Sequence, residues 1–186
     1  MSAVKTQYTS QDLLDMPEGE RYELAGGRLV ERKMGSRAAW IAGRFHFRLE
    51  KFIEKEPLGF AFPDGASYKC FPDDPEKVRR PDGSFIQFGR LPGEEIPEGH
   101  IPIAPDLVVE VTSPNDLHVE VAMKVQEYLR AGVRVVWVVT PETRTVQEHR
   151  LDRAESRRLS EEDELCPEDV LPGFRCLVRD LFPPAT

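Results

Sequence analysis

Apolar and polar positions change period several times along the chain, and each change marks an element. Thr9 and Ser10 precede Leu13 and Leu14, and Pro17 follows, a pattern that predicts a short capped helix. The stretch YELAGGRLVERKM alternates around Gly26-Gly27, the signal of a β-hairpin. From Ser36 to about Lys55 the period lengthens. Ala38, Ile41, Phe45, Leu49 and Phe52 fall on one stripe at about 100° per residue, which predicts a long helix. Short strands are expected near 59–62, 66–71 and 82–88, with Pro and Asp at the breaks, and the Pro- and Gly-rich residues 89–103 read as a loop.

Residues 105–112, rich in Val, predict a buried strand. A helix from about Leu117 to Ala131 follows, with Gly132 placed to close it. The apolar run 133–141 reads as a second central strand, TRTVQEHRL as its hairpin partner, and LPGFRCLVRDLF as a small terminal hairpin or edge strand. Strand, helix, strand over 105–140 places the fold in the α/β or α+β class, with helices flanking a mixed sheet. No internal repeat interrupts this order, and 186 residues suit a single domain spanning 1–186.

Composition narrows the picture. No apolar run approaches the roughly 18 to 20 residues of a membrane span. The first residues lack the apolar segment of a signal peptide, and Cys70, Cys166 and Cys176 have no CxxC spacing. A cytoplasmic protein with reduced thiols is expected. The net charge of −8 excludes a chain coated in positive charge, but leaves local basic patches open.

The candidate chemistry centres on Glu110, an acid inside a run that should be dry. A buried carboxylate is normally paired, protonated or bound to a metal. Alternation puts Asp106, Val108, Glu110 and Thr112 on one face, yet Asp106 and Glu110 are roughly 13 Å apart at about 3.3 Å per residue, too far to share an ion. Asp82, after Pro81 at the start of another expected strand, is the nearer partner if the two strands are neighbours. Asp82 and Glu110 could then converge on Mg²⁺ or Mn²⁺, which typically takes one or two carboxylates. Lys124 sits at the edge of the stripe Val121, Val125, Tyr128, Leu129, where it either reaches solvent or meets a carboxylate beneath the helix.

Arg79 and Arg80, just before Asp82, are placed to meet an entering phosphate. In the long helix Arg37, Arg44, Arg48, Lys51 and Lys55 fall within about 60° of arc beside the apolar stripe, with Trp40 and Phe47 expected on the stripe's other flank. Such a ridge could track a nucleic-acid backbone or be a solvated face with its aromatics in a dimer contact. His46, His100, His118 and His149 show no metal-binding spacing and read as structural or surface residues.

Asp82 in RRPDGSFI, PDLVVEVTSPND some twenty residues later, and Lys124 in KVQEYLRAGVRVVWVV together resemble the Uma-two family of restriction endonucleases, within the PD-(D/E)XK nuclease superfamily. The likeness runs from YELAGGRLVE to LPGF. It implies a restriction-endonuclease-like core, a mixed β-sheet flanked by helices with N- and C-terminal β-hairpin additions. It further implies a Mg²⁺-dependent (or Mn²⁺-dependent) endonuclease that hydrolyses DNA phosphodiester bonds, with DNA as partner and a homodimer as assembly. By position Asp82 matches the first metal-binding aspartate and Glu110 the acid of the (D/E)XK element, with the Val111 carbonyl as a further metal ligand. The superfamily lysine usually stands two residues after that acid, where this chain has Thr112. The resemblance moves it to Lys124 on the following helix, and Glu23 matches an auxiliary acid. The alternatives are an inactive nuclease fold serving as a nucleic-acid-binding or structural module, and a carboxylate-pair glycosidase. No phosphate-binding glycine motif supports a nucleotide-binding fold.

Overall fold

The computed structural model describes residues 6–114 and 116–184, so the outermost residues of the expected 1–186 domain lie outside the description. Thr9 caps α1 (Ser10–Asp15) in a reciprocal capping box with Asp12. β1 (Tyr22–Ala25) and β2 (Arg28–Glu31) form the expected hairpin, turning at Gly26 and Gly27, both with positive φ. Then come α2 (Ser36–Ile53), β3 (Gly59–Pro63), β4 (Gly83–Gln87), β5 (Leu107–Val111), α3 (His118–Ala131), β6 (Val135–Thr140) and β7 (Thr145–Arg150). Three short strands follow: β8 (Arg157–Leu159), β9 (Glu164–Leu165) and β10 (Cys176–Leu177).

Strands β3 to β8 make one mixed sheet in sequence order. Only β5 and β6 run parallel, joined through α3; every other neighbouring pair is antiparallel. Alternation along β5 assigns its side chains to two layers. Leu107, Val109 and Val111 pack with Ala38, Ile41, Phe45 and Leu49 of α2 and with the C-terminal segment around Phe174 and Val178. Val108 points the other way, into a core with Val125 and Tyr128 of α3 and with Tyr68 and Phe71. A small third cluster of Leu13, Leu24 and Val78 ties α1 and the hairpin to the segment preceding β4.

Two local expectations need correction. Residues 66–71 form no ladder strand, only single bridges from Tyr68 to Arg79 and Ile101. Both partners are soon followed by proline, Pro81 and Pro102, which lack the N–H a longer ladder needs. Trp40 and Phe47 do not stand across the apolar stripe from the basic residues. The Arg44 guanidinium lies 5.8 Å and 5.6 Å from their ring centroids, so both share one exposed outer face of α2 with it. Of the segment 171–182, expected to form a small hairpin or edge strand, only β10 is a strand, and its partner β9 precedes that segment; β8, which was not anticipated, extends the sheet edge.

Candidate active site

The dipeptide Pro81-Asp82 ends the β4–β5 ladder and starts the site. The last paired residues are Gly83 and Val109, and the same register would set Pro81 opposite Val111. Proline has no N–H for the Val111 carbonyl, and the Asp82 carboxylate takes the Val111 N–H instead, Oδ2 to N 2.7 Å. A Cβ at Gly83 would come 3.2 Å from the Phe45 ring, tighter than an ordinary van der Waals contact, so the glycine lets α2 pack close over the strand.

Glu110 points to the α3 side of the sheet, where the Tyr128 hydroxyl donates to its Oε1 at 2.7 Å. Lys124, one turn earlier on α3, brings its Nζ 3.6 Å from Glu110 Oε2 and 3.2 Å from Glu23 Oε2. Glu23, on β1 and almost fully buried, also accepts from Arg79 Nη1 at 2.8 Å and the Arg80 N–H at 2.9 Å. Arg79 is held from its other side by Glu127 of α3, which also takes Lys77. Asp82, Glu110, Glu23 and Lys124 thus line one cleft of about 270 Å³, whose walls are Val30 to Met34, from the end of β2 onward, and Asp116, Glu120 and Val121, just before and in the first turn of α3.

The electrostatics separate the three acids. Burial works against the Glu23 charge, but Lys124, Arg79 and the Arg80 N–H outweigh it and hold its pKa below the ordinary value. Asp82 goes the other way. Burial, and then the Glu110 charge beside it, push its pKa up to about 8 against the opposing Val111 N–H, Arg32 and Lys124. Burial also raises Glu110, with Lys124 and Tyr128 only partly offsetting it. Glu110 and Glu23 keep Lys124 protonated, its pKa raised despite burial.

The cleft therefore has two acids short of positive charge, beside a backbone carbonyl whose opposite residue is a proline. Carboxylate and carbonyl oxygens are the donors that Mg²⁺ and Mn²⁺ prefer, and Mg²⁺ needs only one or two protein carboxylates. Among the described residues no group of three or more His, Cys, Asp and Glu is arranged to hold a metal. Glu23 is engaged by Arg79, Arg80 and Lys124. The donor set fits an ion shared with substrate and water, not a closed protein cage.

The expected phosphate contacts fare differently. Arg79 is buried between Glu23 and Glu127 and has no face toward the cleft, a correction to its placement from sequence. Arg80 borders the cleft, but its Nε and Nη1 donate to the Tyr22 and Gly65 carbonyls. Arg44, Arg48 and Lys51 stand on α2, across the sheet from Glu110, and Arg48 pairs with Asp180 at 3.1 Å. These three are not brought to the cleft. Asp106 is a strand-start acid, accepting from the Gln87 N–H and pairing with Arg90. Sequence reasoning missed the Tyr128 hydroxyl, Glu127 and Arg32, which contacts both Asp64 and Asp82.

Residues 10–179 match the family described as "Uma2: Putative restriction endonuclease". The chain belongs to the Uma2 family. That membership places it among nucleases of the restriction-endonuclease type. Among solved structures it is similar to the crystal structure of a "putative nuclease belonging to DUF820" from Anabaena variabilis, with a TM-score of 0.77 and 21% identity over 94% of this chain and 97% of that one. At that identity the likeness establishes the shared fold, including the mixed sheet flanked by helices. No curated protein matches the chain. Among the described residues of this Uma2 protein, no helix is long and apolar enough to cross a membrane.

Proposed function

We propose that this Uma2 protein is a Mg²⁺- or Mn²⁺-dependent endonuclease that hydrolyses DNA phosphodiester bonds, with Asp82, Glu110 and Lys124 as its working residues. The observation that carries the reading is convergence. Two acids from neighbouring strands and a lysine from the following helix meet in one cleft, and both acids have raised pKa values. An inactive fold would not need to hold two carboxylates together against burial and mutual repulsion.

A divalent ion on Asp82, Glu110 and the Val111 carbonyl would polarise a phosphodiester oxygen and acidify a water molecule. The chain's own residues do the rest. Lys124 is fixed as a cation by Glu23 and Glu110, so it serves as a positive charge and not as a base. It orients the attacking water and offsets the charge that grows on the phosphate. Tyr128 holds Glu110 in place, and Arg79 fixes Glu23 from below. The exposed Trp40 and Phe47 on α2 are the proposed contact of a homodimer, which light scattering measures directly.

The test is Mg²⁺ or Mn²⁺ titration of wild type and Glu110→Ala by calorimetry, with a supercoiled-plasmid nicking assay on the same samples. Metal binding and nicking in wild type, both lost in the variant, are expected. A wild type that binds no metal sinks the reading.

A further inference from the structure

We propose that Arg32 is a substrate-contacting residue of the cleft: held by Asp64, it yields Asp82 to the divalent ion and takes a non-bridging oxygen of the phosphodiester. This rests on the metal-dependent reading above and deepens it.

Three segments meet at Arg32. It directly follows β2, and its N–H donates to the Arg21 carbonyl at 2.9 Å, which fixes the root of the side chain on the hairpin. Its Nη2 contacts Asp64 and lies 3.4 Å from Asp82 Oδ1. Pro63 pairs with Gly83, so the same register sets Asp64 opposite Asp82 at the end of the sheet. One guanidinium therefore spans both acids.

The two Asp82 oxygens are not equivalent. Oδ2 already accepts the Val111 N–H, which leaves Oδ1 for a cation, and Oδ1 is the oxygen Arg32 faces. A divalent ion and a guanidinium compete for that oxygen, and the doubly charged ion with direct coordination prevails. Asp64, with 39% of its side chain exposed, stays as the anchor at the rim.

Displaced from Asp82 but still on Asp64, the guanidinium keeps several N–H donors in a rigid fork that suits phosphate oxygens. Among the other cations near the cleft, Lys33 stands exposed on its wall, and the rest are engaged elsewhere. Lys124 is engaged by Glu23 and Glu110, Arg79 is walled off, and Arg80 donates to two carbonyls.

The test compares wild type with Arg32→Gln, Arg32→Lys and Asp64→Asn. Melting curves check the fold, calorimetry gives Mn²⁺ affinity without DNA, and nicking kinetics give KM and kcat. Arg32→Gln should bind Mn²⁺ about 3- to 10-fold more tightly, since the competitor for Asp82 is gone, while KM for DNA rises about 10-fold. Arg32→Lys keeps the charge, so its Mn²⁺ affinity stays near wild type while KM rises less. Asp64→Asn should bind Mn²⁺ more weakly, because Arg32 then leans on Asp82 alone.

In a wild type that binds Mn²⁺ and nicks, an Arg32→Gln variant with unchanged or weaker Mn²⁺ binding, or with unchanged KM, overturns the Arg32 role alone. A wild type that does neither overturns the nuclease reading and this role with it. Should Arg32→Gln fail to fold, an unchanged KM in Arg32→Lys or an unchanged Mn²⁺ affinity in Asp64→Asn overturns it.

Discussion

Replacing Asp82 with Asn should make the protein more stable while abolishing its proposed activity. In an unfolded chain this carboxyl titrates near 3.8, whereas in the fold burial and the Glu110 charge push it up to about 8. Because the folded pKa is the higher one, the native protein holds an extra proton between those values. The associated stability is fully present below about pH 4 and is lost as pH rises through 8. Each pH unit inside the window costs about 1.4 kcal/mol, so the full span comes to about 6 kcal/mol, and water entry and side-chain adjustment reduce this to about 2–3 kcal/mol. Asn keeps an oxygen for the Val111 N–H and removes the charge.

For a chain of 186 residues that difference corresponds to a melting temperature about 5–10 °C higher for Asp82→Asn at pH 8 in the presence of a chelator. The gap should shrink toward pH 5, and Mg²⁺ should raise the wild-type melting temperature but not the variant's. Thermal melts at four pH values, with chelator and with Mg²⁺, measure all of this. If wild type and variant lose stability in parallel between pH 5 and 8, Asp82 carries no strained charge, and the electrostatic case for a metal there collapses.

Lys124→Met should cut nicking by about 100-fold or more while leaving Mn²⁺ binding within a few-fold, because the lysine supplies charge at the phosphate and not a metal ligand; single-turnover nicking with calorimetry separates the two. Glu23→Gln should cost about 3 kcal/mol, since it removes the buried carboxylate that Arg79 and Lys124 share and leaves each with one acid, Glu127 and Glu110; chemical denaturation reads the loss. Tyr128→Phe removes a hydrogen bond to a carboxylate, worth about 1.5–3 kcal/mol when that carboxylate is charged. Burial raises the Glu110 pKa, so the deficit relative to wild type should grow as pH rises and Glu110 ionises; paired denaturation curves across pH check it.

Elements whose signal is local were legible in the chain. The α2 stripe at Ala38, Ile41, Phe45 and Leu49 is buried as the period required, and the Gly26-Gly27 turn forms the hairpin it predicted. The convergence of Asp82, Glu110 and Lys124 could be anticipated because strand alternation fixes the face of Glu110 and the helix period places Lys124. Segment 66–71 was misjudged and strand β8 was not anticipated, because the pairing of the first depends on residues far away in sequence and the second is an exposed edge with no clear alternation. Arg79 misled for a related reason. Its carboxylate partners lie 56 and 48 residues away, and no local pattern distinguishes an arginine that meets a phosphate from one clamped by Glu23 and Glu127. Tyr128 was visible as an apolar stripe member four residues beyond Lys124, but its hydroxyl gains a role only because Glu110 arrives from another element.

The position of Lys124 explains why the N-terminal hairpin is part of the candidate site and not an appendage. A lysine two residues beyond Glu110 would be held by the strand itself, and Thr112 occupies that place. Lys124 instead projects from α3 on a long flexible stem, and needs carboxylates on either side to fix it. Glu110 supplies one from the sheet, and Glu23 supplies the other from β1. A buried Glu23 in turn needs neutralising from behind, which Arg79 does, and Arg79 is matched by Glu127 one turn of α3 from Lys124. The charges alternate from the helix through the hairpin and the segment before β4, then back to the helix. Lys124 on the helix therefore ties β1, residues 77–82 and α3 into a single electrostatic unit, and the same hairpin that brings Glu23 also carries Arg32 to Asp82.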